Sequence, residues 1–210
     1  MSARGFMAMR HIIRLLAFAA ASAAAVSCGN ARNGQSPVFL GLDSLQGAPG
    51  NAPTAFGNFL ISDIQSDVTT GGGCTATNPC STFFNDVGRA VMHIVPKDVT
   101  NPAVPTSNNE VTITRYRVSY RRADGHNIPG VDVPFAFDGA VTMTITASTT
   151  TVGFELVRVV AKQESPLVQL LTSNDVITTF ADVTFYGTDR AGNAISVTGT
   201  IQIDFGSFRG

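Results

Sequence analysis

The stretch NAISVTGTIQIDFG, Asn193–Gly206, decides the fold. Ile195, Val197, Gly199, Ile201, Ile203 and Phe205 fall on one side of an extended chain. Ala194, Ser196, Thr198, Thr200, Gln202 and Asp204 fall on the other. Side chains of a strand alternate between faces, so this is a half-buried strand with one apolar face. VITTFADVTFYG, Val176–Gly187, is a second strand, joined to the first by TDRAGN. Gly192 and Asn193 tolerate left-handed backbone, which suits a short hairpin connection.

Working outward, the same period recurs. AVTMTITAS sets Val141, Met143 and Ile145 against Thr142, Thr144 and Thr146. EVTITRYRVSYRR alternates through Val111 and Ile113, then shifts its apolar face to Tyr116, Val118 and Tyr120. A phase change of one residue predicts a β-bulge near Thr114 and Arg115. PVFLGLDSL, FLISDIQSDV, GRAVMHIVPKD and TVGFELVRVVAKQ read as further strands, the third largely buried and closed by Pro96. ESPLVQLLTSND has room for one helical turn, and HNIPGVDVPFAFDG is a Pro/Gly connection with a short edge segment. Long helical patterns between the strands are missing, so a parallel α/β sheet is not expected. Seven or eight strands with turn signals between them predict an all-β, antiparallel two-sheet sandwich.

FYGTDRAGNAISVTGTIQI resembles the final hairpin of bacterial immunoglobulin-like domains, in which an aromatic residue, T-D-x-x-G-N and alternating Thr/Val recur. The resemblance implies an immunoglobulin-like or fibronectin-like sandwich. The chain departs from antibody domains in having no Trp and no distant cysteine pair.

The start of the chain is of another kind. MSARGFMAMRHIIR carries Arg4, Arg10 and Arg14 without an acid, and LLAFAAASAAAVS follows. A basic segment, a short apolar run and small residues at its end match an export signal. The run is shorter than the roughly 20 residues that span a membrane. Export permits disulfides, and Cys74 and Cys80 lie close together in the turn-rich GGGCTATNPC. Closing so small a ring stabilises a chain by about 2 kcal/mol. Cys28 is then the unpaired third cysteine.

Ala25-Val26-Ser27-Cys28 resembles the bacterial lipobox, with Ala25 where Leu is commoner. That resemblance implies cleavage before Cys28, a diacylglycerol thioether on its sulfur and acylation of the new amino group. Several acyl chains anchor stably where a single one is marginal. Gly29 in place of an Asp points to the outer membrane by the sorting rule of some Gram-negative bacteria. The predicted organisation is a signal peptide at 1–27, a tether at 28–36 and a sandwich domain at 37–210.

With 14% charged residues and a formal net charge of -1, the chain lacks the basic excess of a nucleic-acid binder. It contains no Gly-x-Ser-x-Gly, no His-Glu-x-x-His and no phosphate loop. His11 leaves with the signal, His93 reads as a strand residue with one satisfied nitrogen, and His126 lies in a turn. Asp63, Asp67, Asp98 and Asp189 sit near strand ends, where they form turns or help hold Ca²⁺. No metal or other cofactor is expected.

Arg115, Arg117 and Arg121 share one side of their strand, and Arg122 follows. Two readings stand together. The group is a cationic binding face, with Tyr116 and Tyr120, for an acidic glycan, a lipid headgroup or a protein. Alternatively it is a solvated face paired with Asp132, Asp138 or Glu155. The expected function is a non-catalytic, lipid-anchored envelope protein that binds or scaffolds another macromolecule, protein or glycan. A glycan or small-ligand module is the alternative, and a hydrolytic enzyme built on His93 is the reading least supported.

Overall fold

The computed structural model describes residues 35–98, 100 and 105–208. The signal segment, Cys28 and nearly all of the 28–36 tether lie outside the described residues. The chain is all-β. Its strands are β1 (Val38–Ala48), β2 (Phe59–Asp63), β3 (Ser66–Val68), β4 (Cys80–Thr82), β5 (Asp86–Pro96), β6 (Val111–Arg121), β7 (Phe137–Ile145), β8 (Thr150–Val157), β9 (Ile177–Asp189) and β10 (Ala194–Gly206). A short helix, α1 (Val159–Gln163), follows β8, and a 3-10 segment at Leu167–Thr172 supplies the helical turn expected before β9.

A large sheet has the order β2-β10-β9-β6-β7, a small sheet the order β1-β5-β8, and β3 and β4 form a separate hairpin. The two principal sheets enclose one core. β10 gives it Ile201, Ile203 and Phe205, β6 gives Val118, and the small sheet gives Leu40, Met92, Val152 and Leu156. Each such side chain contributes about 1.5–3 kcal/mol by leaving water.

Three expectations need correction. Among the described residues ten strands replace the seven or eight expected, because the three-residue β3 and β4 are too short to leave a periodic pattern. The large sheet is not wholly antiparallel: β2 runs parallel to β10, with Phe59 opposite Gln202 and Asp63 opposite Gly206. The chain passes from β1, at one edge of the small sheet, to β2, at the neighbouring edge of the large one, with Gly47 and Gly57 exchanging backbone hydrogen bonds between them. TVGFELVRVVAKQ is a strand only as far as Val157, and its remainder is α1.

The hairpin of β9 and β10 stays in register from Ala194↔Thr188 to Phe205↔Ile177. Asp189 closes its turn by accepting the N–H groups of Ala191 and Asn193 and the Asn193 amide. Burial alone would raise the pKa of Asp189, but these donors outweigh it and hold the carboxyl below its ordinary value. The predicted bulge lies between Ile113 and Arg115, where the register shifts against both neighbouring strands. Gly187 faces it. A Cβ there would lie 2.3 Å from the Thr112 carbonyl oxygen, so only glycine admits so close an approach.

Val38 pairs with Pro96 at one end of the sandwich, and Ala48 with Val87 toward the other. Ile94 N–H donates to the Thr146 carbonyl at the first end, which aligns the two sheets there. The first end therefore receives the chain from the direction of Cys28. Cys74 and Cys80 are joined by a disulfide, Cα–Cα 5.4 Å, which staples the β3–β4 hairpin near its tip.

Candidate binding face

The outward side chains of the large sheet form registered rows across four strands. Thr198, Thr184, Arg117 and Asp138 make one row. Ser196, Tyr186, Arg115 and Ala140 make a second. Phe59, Gln202, Phe180 and Arg121 make a third. The face is hydroxyl-rich and crossed by arginines, because strands with Thr outside and Val/Ile inside present their polar set together.

The arginines are not free charges. Asp138 receives both Arg115, at 3.0 Å, and Arg117, at 2.6 Å. Asp182 receives Arg121 at 2.8 Å and the Thr200 hydroxyl at 2.6 Å. Two guanidinium groups also stack on rings: Arg115 lies 3.9 Å from the Tyr186 centroid and Arg121 lies 5.1 Å from that of Phe180. Such contacts give roughly 0.5–1 kcal/mol at exposed sites and hold the long side chains flat. Of the acids expected to pair with the stripe, Asp138 does so. Asp182, on the neighbouring β9, is the partner that needed the strand register to be seen. Arg122 bonds instead to Asp124, whose carboxyl that guanidinium holds below its ordinary pKa.

Tyr116 and Tyr120 are not on this face. They alternate with the arginines and point into the core, both buried. Tyr120 Oη donates to the Leu156 carbonyl at 2.7 Å, and Tyr116 Oη accepts the Glu155 N–H at 3.1 Å. Each hydroxyl thus links the large sheet to β8. Burial raises the pKa of both phenols, so they remain neutral. The Arg/Tyr face expected from the sequence separates into an exposed arginine face and a buried tyrosine bridge. The aromatics on this face are the exposed Phe59 and the half-buried Phe180 and Tyr186.

His93 lies on the outer face of the small sheet, partly exposed, with Nδ1 2.9 Å from Asp43 Oδ2. One nitrogen is satisfied, as expected. The strand is alternately rather than largely buried. His126 is exposed, 3.4 Å from Asp124. Neither histidine lines the groove of about 610 Å³ that runs beside the free edges of β7 and β8, past Phe56, Phe154, Glu155 and Arg158. Among the described residues, no three His, Cys, Asp or Glu side chains gather as metal ligands.

One polar centre left no trace in the sequence reading. Lys162 of α1 and Asp86 of β5 are each about 1% exposed and form an ion pair at 2.9 Å. Lys162 Nζ also donates to the Asp63 carbonyl at 2.9 Å. Ser62 Oγ and the Gly50 N–H donate to the Asp86 carboxylate. Burial raises the Asp86 pKa, and the ammonium, hydroxyl and amide pull it back. The cluster joins α1, β2, β5 and the β1–β2 connection.

The chain matches no protein-family model and no curated protein.

Proposed function

We propose that the protein is an exported, lipid-anchored component of a bacterial envelope, placed at the outer membrane. In this reading an immunoglobulin-like sandwich binds or scaffolds another macromolecule through the outer face of its large sheet, without catalysis. The observation that carries the binding reading is that face. Its rows place half-buried aromatic rings, the arginines stacked on them and hydroxyls together on rigid strands. Rigid, amphipathic aromatic and Arg side chains are the residues enriched where interfaces draw their binding energy. The strand order β2-β10-β9-β6-β7 facing β1-β5-β8 supports the immunoglobulin-like reading. The Cys74–Cys80 bond supports the anchor, because it leaves Cys28 as the unpaired cysteine.

A glycan is the second reading. Phe59 and Phe180 flank Gln202 in one row, about 10 Å apart at two strand spacings. Rings so spaced can stack on sugar faces while Gln202 and Arg121 meet hydroxyls.

The test is photo-crosslinking in cells with the reactive group at Arg117, followed by mass spectrometry of the adducts. A specific adduct lost on R121A with F180A supports the face. Adducts arising only from the opposite sheet would overturn it. Palmitate labelling that is absent from the wild type, with C28S still in the membrane fraction, would overturn the anchor.

A further inference from the structure

We infer that Phe39, Val95 and Lys97 form the surface on which the anchored protein rests against lipid headgroups. The inference depends on the lipid-anchor reading for its biological setting and adds an orientation to it. Phe39 of β1 and Val95 of β5 stand directly opposite one another and point outward from the small sheet. They are 58% and 39% exposed. Lys97 Nζ lies 4.9 Å from the centroid of the Phe39 ring. The Lys97 N–H donates to the Pro37 carbonyl at 2.9 Å, so the lysine is fixed beside the point where the fold receives the chain.

Chain length selects the lipid surface as occupant. From Cys28 to Pro37 the chain reaches at most about 30 Å when fully extended. The opposite end lies a further 11-residue strand away, roughly 37 Å. That far end also carries exposed apolar side chains, Ile128, Phe135 and Val160. A tether leaving beside Pro37 keeps the Phe39 end within about 30 Å of the bilayer and so brings it there more often than the Phe135 end. The composition of the near patch suits an interface. An aromatic ring and a valine enter the headgroup boundary while a lysine keeps its ammonium at the phosphates. Two such side chains would not hold a protein from solution. A tether raises the local concentration to about the millimolar range, where a weak contact is occupied.

The chain has no Trp, so a single introduced Trp reports without background. Protein beginning at Cys28 keeps the whole described fold, and Cys28 is then its one free thiol. That thiol is coupled to maleimide-headgroup lipid in phosphatidylethanolamine/phosphatidylglycerol vesicles, which supplies the anchor whether or not cells do. Trp fluorescence is read in F39W and F135W, with and without lipids brominated near the headgroup. The expected result is emission at shorter wavelength and bromine quenching for F39W, with neither for F135W. F39W emission unchanged by coupling, or equal quenching of the two variants, would overturn the inference. Failure of acylation in cells would overturn the anchor reading alone and leave the vesicle result standing.

Discussion

Replacing Lys162 by Met removes the cation from a dry carboxylate and keeps most of the volume. In the native protein Lys162 Nζ contacts Asp86 at 2.9 Å and the Asp63 carbonyl at 2.9 Å, and both charged side chains are almost fully buried. Removing one partner of a buried pair costs about 3–5 kcal/mol, since the remaining charge is uncompensated. At about 2–4 °C per kcal/mol for a domain of this size, the melting temperature falls by roughly 6–20 °C. The loss depends on pH, and its sign follows from linkage. A folded-state acid whose pKa is raised binds its proton more tightly than the unfolded chain does. Stability then falls as pH rises from the unfolded value, 3.8, through the folded one. Lys162 is the strongest influence lowering the Asp86 pKa, so K162M widens that window upward. Urea denaturation of wild type and K162M at pH 4, 6 and 8 measures the difference. It should be largest at pH 8 and smallest at pH 4. Adding D86N should recover most of it, because the amide carries no charge. A loss under about 1 kcal/mol at every pH, unaffected by D86N, would refute the reasoning.

Other consequences are simpler to test. Y120F strands the buried Leu156 carbonyl and should cost about 1–3 kcal/mol in urea melts, while Y120F and wild type keep the same photo-crosslinked adducts. G187A places a methyl against the Thr112 carbonyl and should cost about 1–3 kcal/mol, seen as a lower melting temperature. R121A removes an exposed pair and should change stability by no more than about 1 kcal/mol while weakening capture of the bound macromolecule. Reduction of Cys74–Cys80 should cost about 2 kcal/mol at most, and amide exchange should quicken mainly in the β3–β4 hairpin.

What the sequence made legible follows the reach of each signal. β10 could be read because its apolar parity runs from Ile195 to Phe205, and β9 because Ala181, Val183 and Phe185 keep the same period. The bulge at Thr114 could be read because it changes the phase of the same strand. That phase also separates the tyrosines from the arginines, since Tyr116 and Tyr120 share the apolar parity of Val118. Grouping them into one face overlooked a period already in view. Asp182 as partner of Arg121 required the register between β6 and β9, which no local pattern contains. Lys162 and Asp86 were out of reach for a stronger reason. They are 76 residues apart, in elements with unrelated periods, and a buried lysine has the same letter as an exposed one.

The antiparallel pairing of β1 with β5 has a mechanical consequence. A pull applied at Pro37 acts along β1, parallel to its length, and so shears the ladder from Val38↔Pro96 to Ala48↔Val87. In shear, many hydrogen bonds share the force at once, whereas peeling a strand from one end breaks them in turn. A load passed between a tether on this end and a partner held by the large sheet would meet the sandwich in its stiff direction.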